Sequence, residues 1–468
     1  MSIFLDRRKS IAAIVADDAV NRTGEHRLRR TLGPFSLTAI GVAGIIGTGI
    51  FVLTGQAAAQ YAGPAIVLSF VLAGAVSAFA AFCYAEFASM VPIAGSAYTY
   101  AYATLGEFFA WVVGWALMLE YAFGAATVGV GWSGYFADVI KSITGHSLPA
   151  AWITPTLSGG IMNLPAVLIL ALLTVLLIRG TKESAAVNNV LVTLKVLVVL
   201  FFIAIGIGHV NTANWHPFSP FGFGGISLGA SIIFFAYIGF DMLTTAAEES
   251  ANPGKDLPFA IIASLVICTV LYIIVSAILT GIVPYQSLNV PAPVSTALLL
   301  SGMRAGAAVV SVGAVLGLTT VLFVQLFGQA RIMFSLGRDG LLPRFLQTVH
   351  PTLRTPWISQ LIIGGVVMII SAVVDLDNLA KLVNMGTLFA FILVAIGVWI
   401  VRHTEPDVKR PFRSPMLPVM ATGAIVGSLF LMSRLPMLTK YVFFGWMAIG
   451  LVIYFGYGRS HSKLANRP

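Results

Sequence analysis

The chain has 468 residues, 58% of them hydrophobic and only 10% charged, against about 25% charged in a soluble domain. That composition excludes a string of soluble domains and describes a polytopic membrane protein with one integrated core. The net charge of +9 could point to nucleic acid, but the placement of the basic residues argues for topology instead.

In chain order, residues 1–30 ("MSIFLDRRKSIAAIVADDAVNRTGEHRLRR") have no continuous apolar run and no cleavage site. They read as a cytoplasmic arm, or in part as an amphipathic helix at the interface. Twelve apolar spans follow, at approximately 35–58, 64–89, 106–134, 164–180, 188–209, 224–247, 258–283, 306–334, 357–374, 379–402, 416–433 and 440–457. An even number of spans puts both termini on one side. That side receives 21 Lys and Arg, the opposite side five, and Lys195 lies within span 5. The excess predicts cytoplasmic termini. A tail at 461–468 closes the chain, and the lipid bilayer is the surrounding partner. Cys83 and Cys268 both lie in apolar segments and the seven histidines are scattered, so neither a disulfide framework, a metal site nor a cofactor is expected.

Span 1 carries "GVAGIIGTGIF", with four glycines between Gly41 and Gly49; span 6 carries "FFAYIGFD", with Gly239 and Asp241 in apolar surroundings. Close helix packing explains isolated glycine pairs, but this density exceeds what packing needs. The second disturbance comes five spans after the first, so the two helices cross in opposite senses. An inverted five-helix repeat follows, 31–210 against 211–410, with helices 11 and 12 (411–460) peripheral and the substrate between the two breaks. A break exposes N–H groups at the start of one half-helix and C=O groups at the end of the other. The first favours an anion and the second a cation. A pair of breaks suits a small zwitterion such as an amino acid.

At these residues the chain resembles the cationic amino acid transporter family of the amino acid–polyamine–organocation superfamily. The likeness rests on "GVAGIIGTGIFVLTG", "YAEFASMVPIAGSAYTYAY", "FFAYIGFDMLTTAAEESANPGKDLP" and "GQARIMFSLGRDGLLP", and the short loops look bacterial. It implies an all-α fold of twelve helices, two inverted five-helix repeats plus two peripheral helices, working by alternating access. By position, it implies that the substrate carboxylate meets amides around Gly47, Thr48 and Gly49. The α-ammonium then meets carbonyls around Ile45, Phe235, Ala236 and Ile238, under a Phe235 lid; without the motif, Phe235 reads simply as core.

Glu120, inside span 3, is a functional candidate as an intramembrane carboxylate; its alternative is a structural ion pair or a protonated, hydrogen-bonded acid. The resemblance places it near the substrate. Asp241 caps the half-helix after the second break or contacts the pocket. Glu86, Glu248 and Glu249 read as gate or loop contacts. Gln325 faces the substrate side chain in the family, against the plain reading of a bond to a neighbouring helix; being neutral, it offers no countercharge to a lysine or arginine side chain.

Lys195 interrupts the most apolar part of "NNVLVTLKVLVVLFFIAIGIG", at a cost of roughly 2.5–3.5 kcal/mol at a bilayer centre. Snorkelling, pairing with a carboxylate, and ion coupling are the three readings. The resemblance supports the third, since a lysine here takes the place of a sodium ion in sodium-coupled relatives. Desolvation penalises a buried charge, which makes proton loss near neutral pH feasible. The expected activity is import of L-amino acids by proton symport, with broad or cationic and neutral specificity. An amino acid or polyamine exchanger, a sodium symporter and a non-transporting sensor are the alternatives. No clustered nucleophile, base or metal ligands suggest an enzyme.

Overall fold

The computed structural model describes residues 32–90, 97–180, 185–246 and 250–464. The expected arm at 1–30, Glu248 and Glu249 lie outside the described residues. Twelve spans are present among the described residues, eight of them long, apolar helices and four shorter ones. The first begins as α1 (Pro34–Ile45), stops, and resumes over residues 49–62. Then come α2 (Ile66–Met90), α3 (Glu107–Thr144), α4 (Leu164–Arg179), α5 (Ala185–Gly206) and α6 (Gly222–Ile233). The second half holds α7 (Pro253–Ile282), α8 (Arg304–Arg338), α9 (Trp357–Val373), α10 (Leu376–Thr404), α11 (Leu417–Arg434) and α12 (Met437–Ile453).

Side chains fix several ends. Asn163 accepts from the Ala166 amide at the start of α4, and Asp375 from the Asn378 amide at the start of α10, each satisfying an orphan N–H. Gly145, in the left-handed conformation at φ 74°, ends α3. α3 therefore runs well past the expected end at 134, because a helix stops at its cap and not where its apolar run stops.

The packing carries the repeat. α1 packs on α7 as α6 packs on α2, and α3 packs on α10 as α8 packs on α5. α2 with α7, α3 with α8 and α4 with α9 pair with their own counterparts. Exchanging each helix for the one five places on leaves this pattern unchanged. α11 lies against α10 and α2, and α12 against α10 and α3, outside the repeat.

Two faces follow. On the terminal face Leu32 pairs with Ser250, and the Lys463 amide bonds the Asp339 carbonyl at 3.1 Å. There the buried Glu86 accepts from Arg402 and from the Ser414 amide, with Arg410 3.6 Å away. Glu86 thus fastens α2 to the loop after α10. On the distal face Tyr61 donates to Asp377 at 3.1 Å, and Lys381 bonds both Tyr61 (3.3 Å) and Asp377. This triad clamps the second half of span 1 to α10.

Candidate functional site

The first break opens where Ile46 turns extended (φ −70°, ψ 107°). The chain resumes in a wide π-type turn from Gly49, with the Thr54 hydroxyl bonded back to the Gly49 carbonyl at 3.0 Å. The second break follows a tight turn, Phe234–Tyr237, where Ile238 is extended and Gly239 adopts φ 121°. Only glycine adopts that conformation without strain.

The two breaks touch backbone to backbone. A methyl built on Gly49 would stand 2.3 Å from Ala236 Cα, and one on Gly239 would stand 2.6 Å from the Gly44 carbonyl oxygen. Gly47 differs: a methyl there meets nothing closer than the Val321 side chain, at 3.7 Å.

Orphan carbonyls at the breaks are satisfied by residues with no motif to announce them. The Tyr272 hydroxyl of α7 donates to the Ile45 carbonyl at 2.9 Å. Asn384 of α10, fully buried, donates to the carbonyls of Ser231 and Ile232 at 2.7 and 2.8 Å. The Ile45 carbonyl, which the resemblance assigns to the ammonium, therefore keeps one of its two lone pairs.

Between the breaks lies a cavity of about 160 Å³. Ile45, Gly47, Thr48, Gly49, Phe235, Ile238, Lys195 and Gln325 all line it. Three expected residues do not. Ala236 is pressed against Gly49. Glu120 stands on the same face of α3 as Val128, a lining residue, but two turns nearer the terminal face, in reach of the Thr387 hydroxyl of α10. Asp241 lies within electrostatic range of Glu120, Tyr84 and Tyr121, beneath the cavity.

Lys195 is 2% exposed, its stem packed on Gly317 of α8. Among the described residues no carboxylate lies within ion-pair distance of it, and its amine is the one formal charge lining the cavity. Side-chain polarity is otherwise sparse. The Thr48 hydroxyl and the Gln325 carbonyl oxygen are buried without a protein partner, and the Gln325 amide packs on Gly124 of α3. Val128, Val321 and Val324 supply an apolar wall. Gln325→Ala is expected to shift preference toward larger side chains by about fivefold, roughly one hydrogen bond's net worth. Competition of amino acids against uptake measures it, and an unchanged profile removes Gln325 from the site.

Two interrupted helices, related by an inverted repeat and facing one another across a small cavity, define a membrane transporter of the broken-helix class. The chain belongs to the amino acid permease family, which it matches over residues 32–456, within the amino acid–polyamine–organocation superfamily. It is 48% identical over 462 residues to the branched-chain amino acid permease BcaP of Bacillus subtilis (strain 168), covering 98% of each chain. It is 47% identical over 438 residues to the methylthioribose transporter of the same organism, covering 93% of this chain and 95% of that one. With the vacuolar cationic amino acid transporter 4 of Arabidopsis thaliana it shares 38% over 411 residues, 86% of this chain and 68% of the relative. The family is one of transporters, not enzymes.

Proposed function

We propose that this protein imports neutral amino acids with apolar side chains, branched ones above all, by proton symport through alternating access. The observation that carries the reading is a cavity between two helix breaks that, among the described residues, holds one amine, Lys195, and no carboxylate. A zwitterion's carboxylate suits the half-helix N-terminus at Gly47–Gly49, and its ammonium suits the carbonyl ends of α1 and α6. The valine wall favours an apolar side chain, and without a countercharge a lysine or arginine side chain pays its desolvation unpaired. The name of the branched-chain permease relative agrees with this. The 21 to five bias of Lys and Arg makes the terminal face cytoplasmic. Lys195 is the proton site on this reading: charged, it bridges the end of α1 to α8, and its deprotonation frees the two halves.

A second reading draws on the methylthioribose transporter relative. Methylthioribose has neither ammonium nor carboxylate, and its hydroxyls would have to satisfy Thr48 and Gln325. Uptake into liposomes carrying the purified protein separates the two, with a panel of labelled amino acids and methylthioribose, and with proton and sodium gradients imposed separately. The expected result is leucine, isoleucine and valine accumulation driven by an inward proton gradient and indifferent to sodium. Accumulation of methylthioribose with no response to amino acids would replace the first reading by the second.

A further inference from the structure

On the distal face a second, larger cavity of about 390 Å³ opens between α3, the loop 147–163, residues 291–296 and the start of α10. It lies one layer of side chains from the central cavity. At Gly131 of α3 a built methyl would touch Thr48, Val52 and Leu376 at 2.7, 3.2 and 3.4 Å. Thr48 lines the inner cavity and Leu376 the outer one. Side chains of span 1 and α10 meet there, and the Tyr61–Asp377–Lys381 clamp ties the same two elements together.

The outer cavity's polar groups are unlike the inner one's. Asp138 and Lys141 both line it, one helical turn apart on the stretch of α3 that projects beyond the expected span. Asp138 accepts from Ser295 at 2.5 Å through one carboxylate oxygen. Among the described residues the Lys141 ammonium makes no hydrogen bond or ion pair, and its charge reaches Asp138 only through space. Asp375, at the rim, spends both oxygens on Asn378. Leu148, Ile153 and Leu376 form an apolar wall opposite. An amine, a carboxylate with a spare oxygen and an apolar wall in one bowl mirror the three parts of an apolar amino acid.

We propose that this distal bowl is a second amino acid site. Lys141 meets the α-carboxylate, Asp138 the α-ammonium, and the wall the side chain. Lying directly above the clamped layer, it holds substrate beside the central site until the clamp releases. The assignment rests on the amino-acid reading above. Lys141 is exposed and Asp138 half-buried, so their charged contacts are screened and the affinity is weak, on the order of millimolar.

The test uses the full-length protein with its central site filled by Gly47→Leu and L-leucine as probe, with binding followed by saturation-transfer NMR. The expected result is residual millimolar binding, weakened about threefold by Lys141→Gln, as for loss of one solvent-exposed ion pair. L-leucinamide, lacking the carboxylate, binds this bowl with no response to Lys141→Gln. Lys141 is exposed, so its replacement leaves the fold intact. If wild type binds L-leucine and Gly47→Leu binds none, or if Lys141→Gln changes nothing, the distal site is wrong while the central reading stands. If wild type itself binds no L-leucine, both fall.

Discussion

Replacing Lys195 by alanine is expected to abolish accumulation of substrate against its gradient while leaving downhill movement in place. With one proton per substrate, a one-unit inward pH step supports at most about tenfold concentration, since one pH unit is 1.36 kcal/mol. Wild-type proteoliposomes should approach that ratio for leucine, and Lys195→Ala should stay near unity at every external pH. The argument is geometric. The amine sits in the cavity wall without a carboxylate partner among the described residues, and α5 bears on both α1 and α8, so its charge is felt by both halves of the moving pair. Loss of packing is a competing explanation, because the stem lies on Gly317. Lys195→Met retains the stem and removes the amine, and should lose coupling equally. Lys195→Arg keeps a charge that cannot be given up and should bind substrate yet fail to couple. If Lys195→Ala concentrates leucine with the wild-type pH dependence, coupling lies elsewhere.

The three sequence readings of Lys195 show what one chain of residues reveals and what it hides. Its cost was legible, because a charge inside an apolar run has no cheap explanation. That it is buried, with no carboxylate partner among the described residues, was not legible, because both depend on what surrounds it in space. The twelve spans and the breaks in the first and sixth were legible for a similar reason: apolar runs and glycine density are local signals. The groups that make the breaks affordable were hidden. Tyr272 and Asn384 lie 227 and about 150 residues from the carbonyls they satisfy, and a lone tyrosine or asparagine in an apolar helix carries no period that would pick it out. The level of Glu120 was hidden for a different reason. Helical spacing puts it on the face of α3 that lines the cavity, but the face does not fix the level, and two turns separate it from the lining. The distal clamp was hidden as well, since only the i, i+4 pair Asp377–Lys381 is local and Tyr61 comes from 316 residues away.

Filling the central cavity from Gly47 is expected to eliminate tight amino acid binding with little loss of stability. On sequence alone, valine at Gly47 and at Gly49 should act alike, since both glycines lie in one motif. The structure separates them. At Gly49 even a methyl collides with the Ala236 backbone at 2.3 Å. That substitution forces the two broken helices apart and should cost about 1–3 kcal/mol, as overpacking does, with a lowered melting temperature. At Gly47 the first carbon makes ordinary contact with Val321 at 3.7 Å, and Gly47 is not among the glycines with positive φ, so a side chain is accepted there and takes up substrate space instead. Gly47→Ala should weaken leucine binding modestly, and Gly47→Leu, whose isobutyl group competes for the same 160 Å³, should weaken it at least about a hundredfold, the worth of roughly 2.7 kcal/mol. Melting temperatures of Gly47→Leu and Gly49→Ala, measured beside leucine affinity, give the decisive contrast: binding lost with the fold retained at 47, and fold weakened at 49. Leucine affinity unchanged in a folded Gly47→Leu protein would place the substrate away from the break in helix 1.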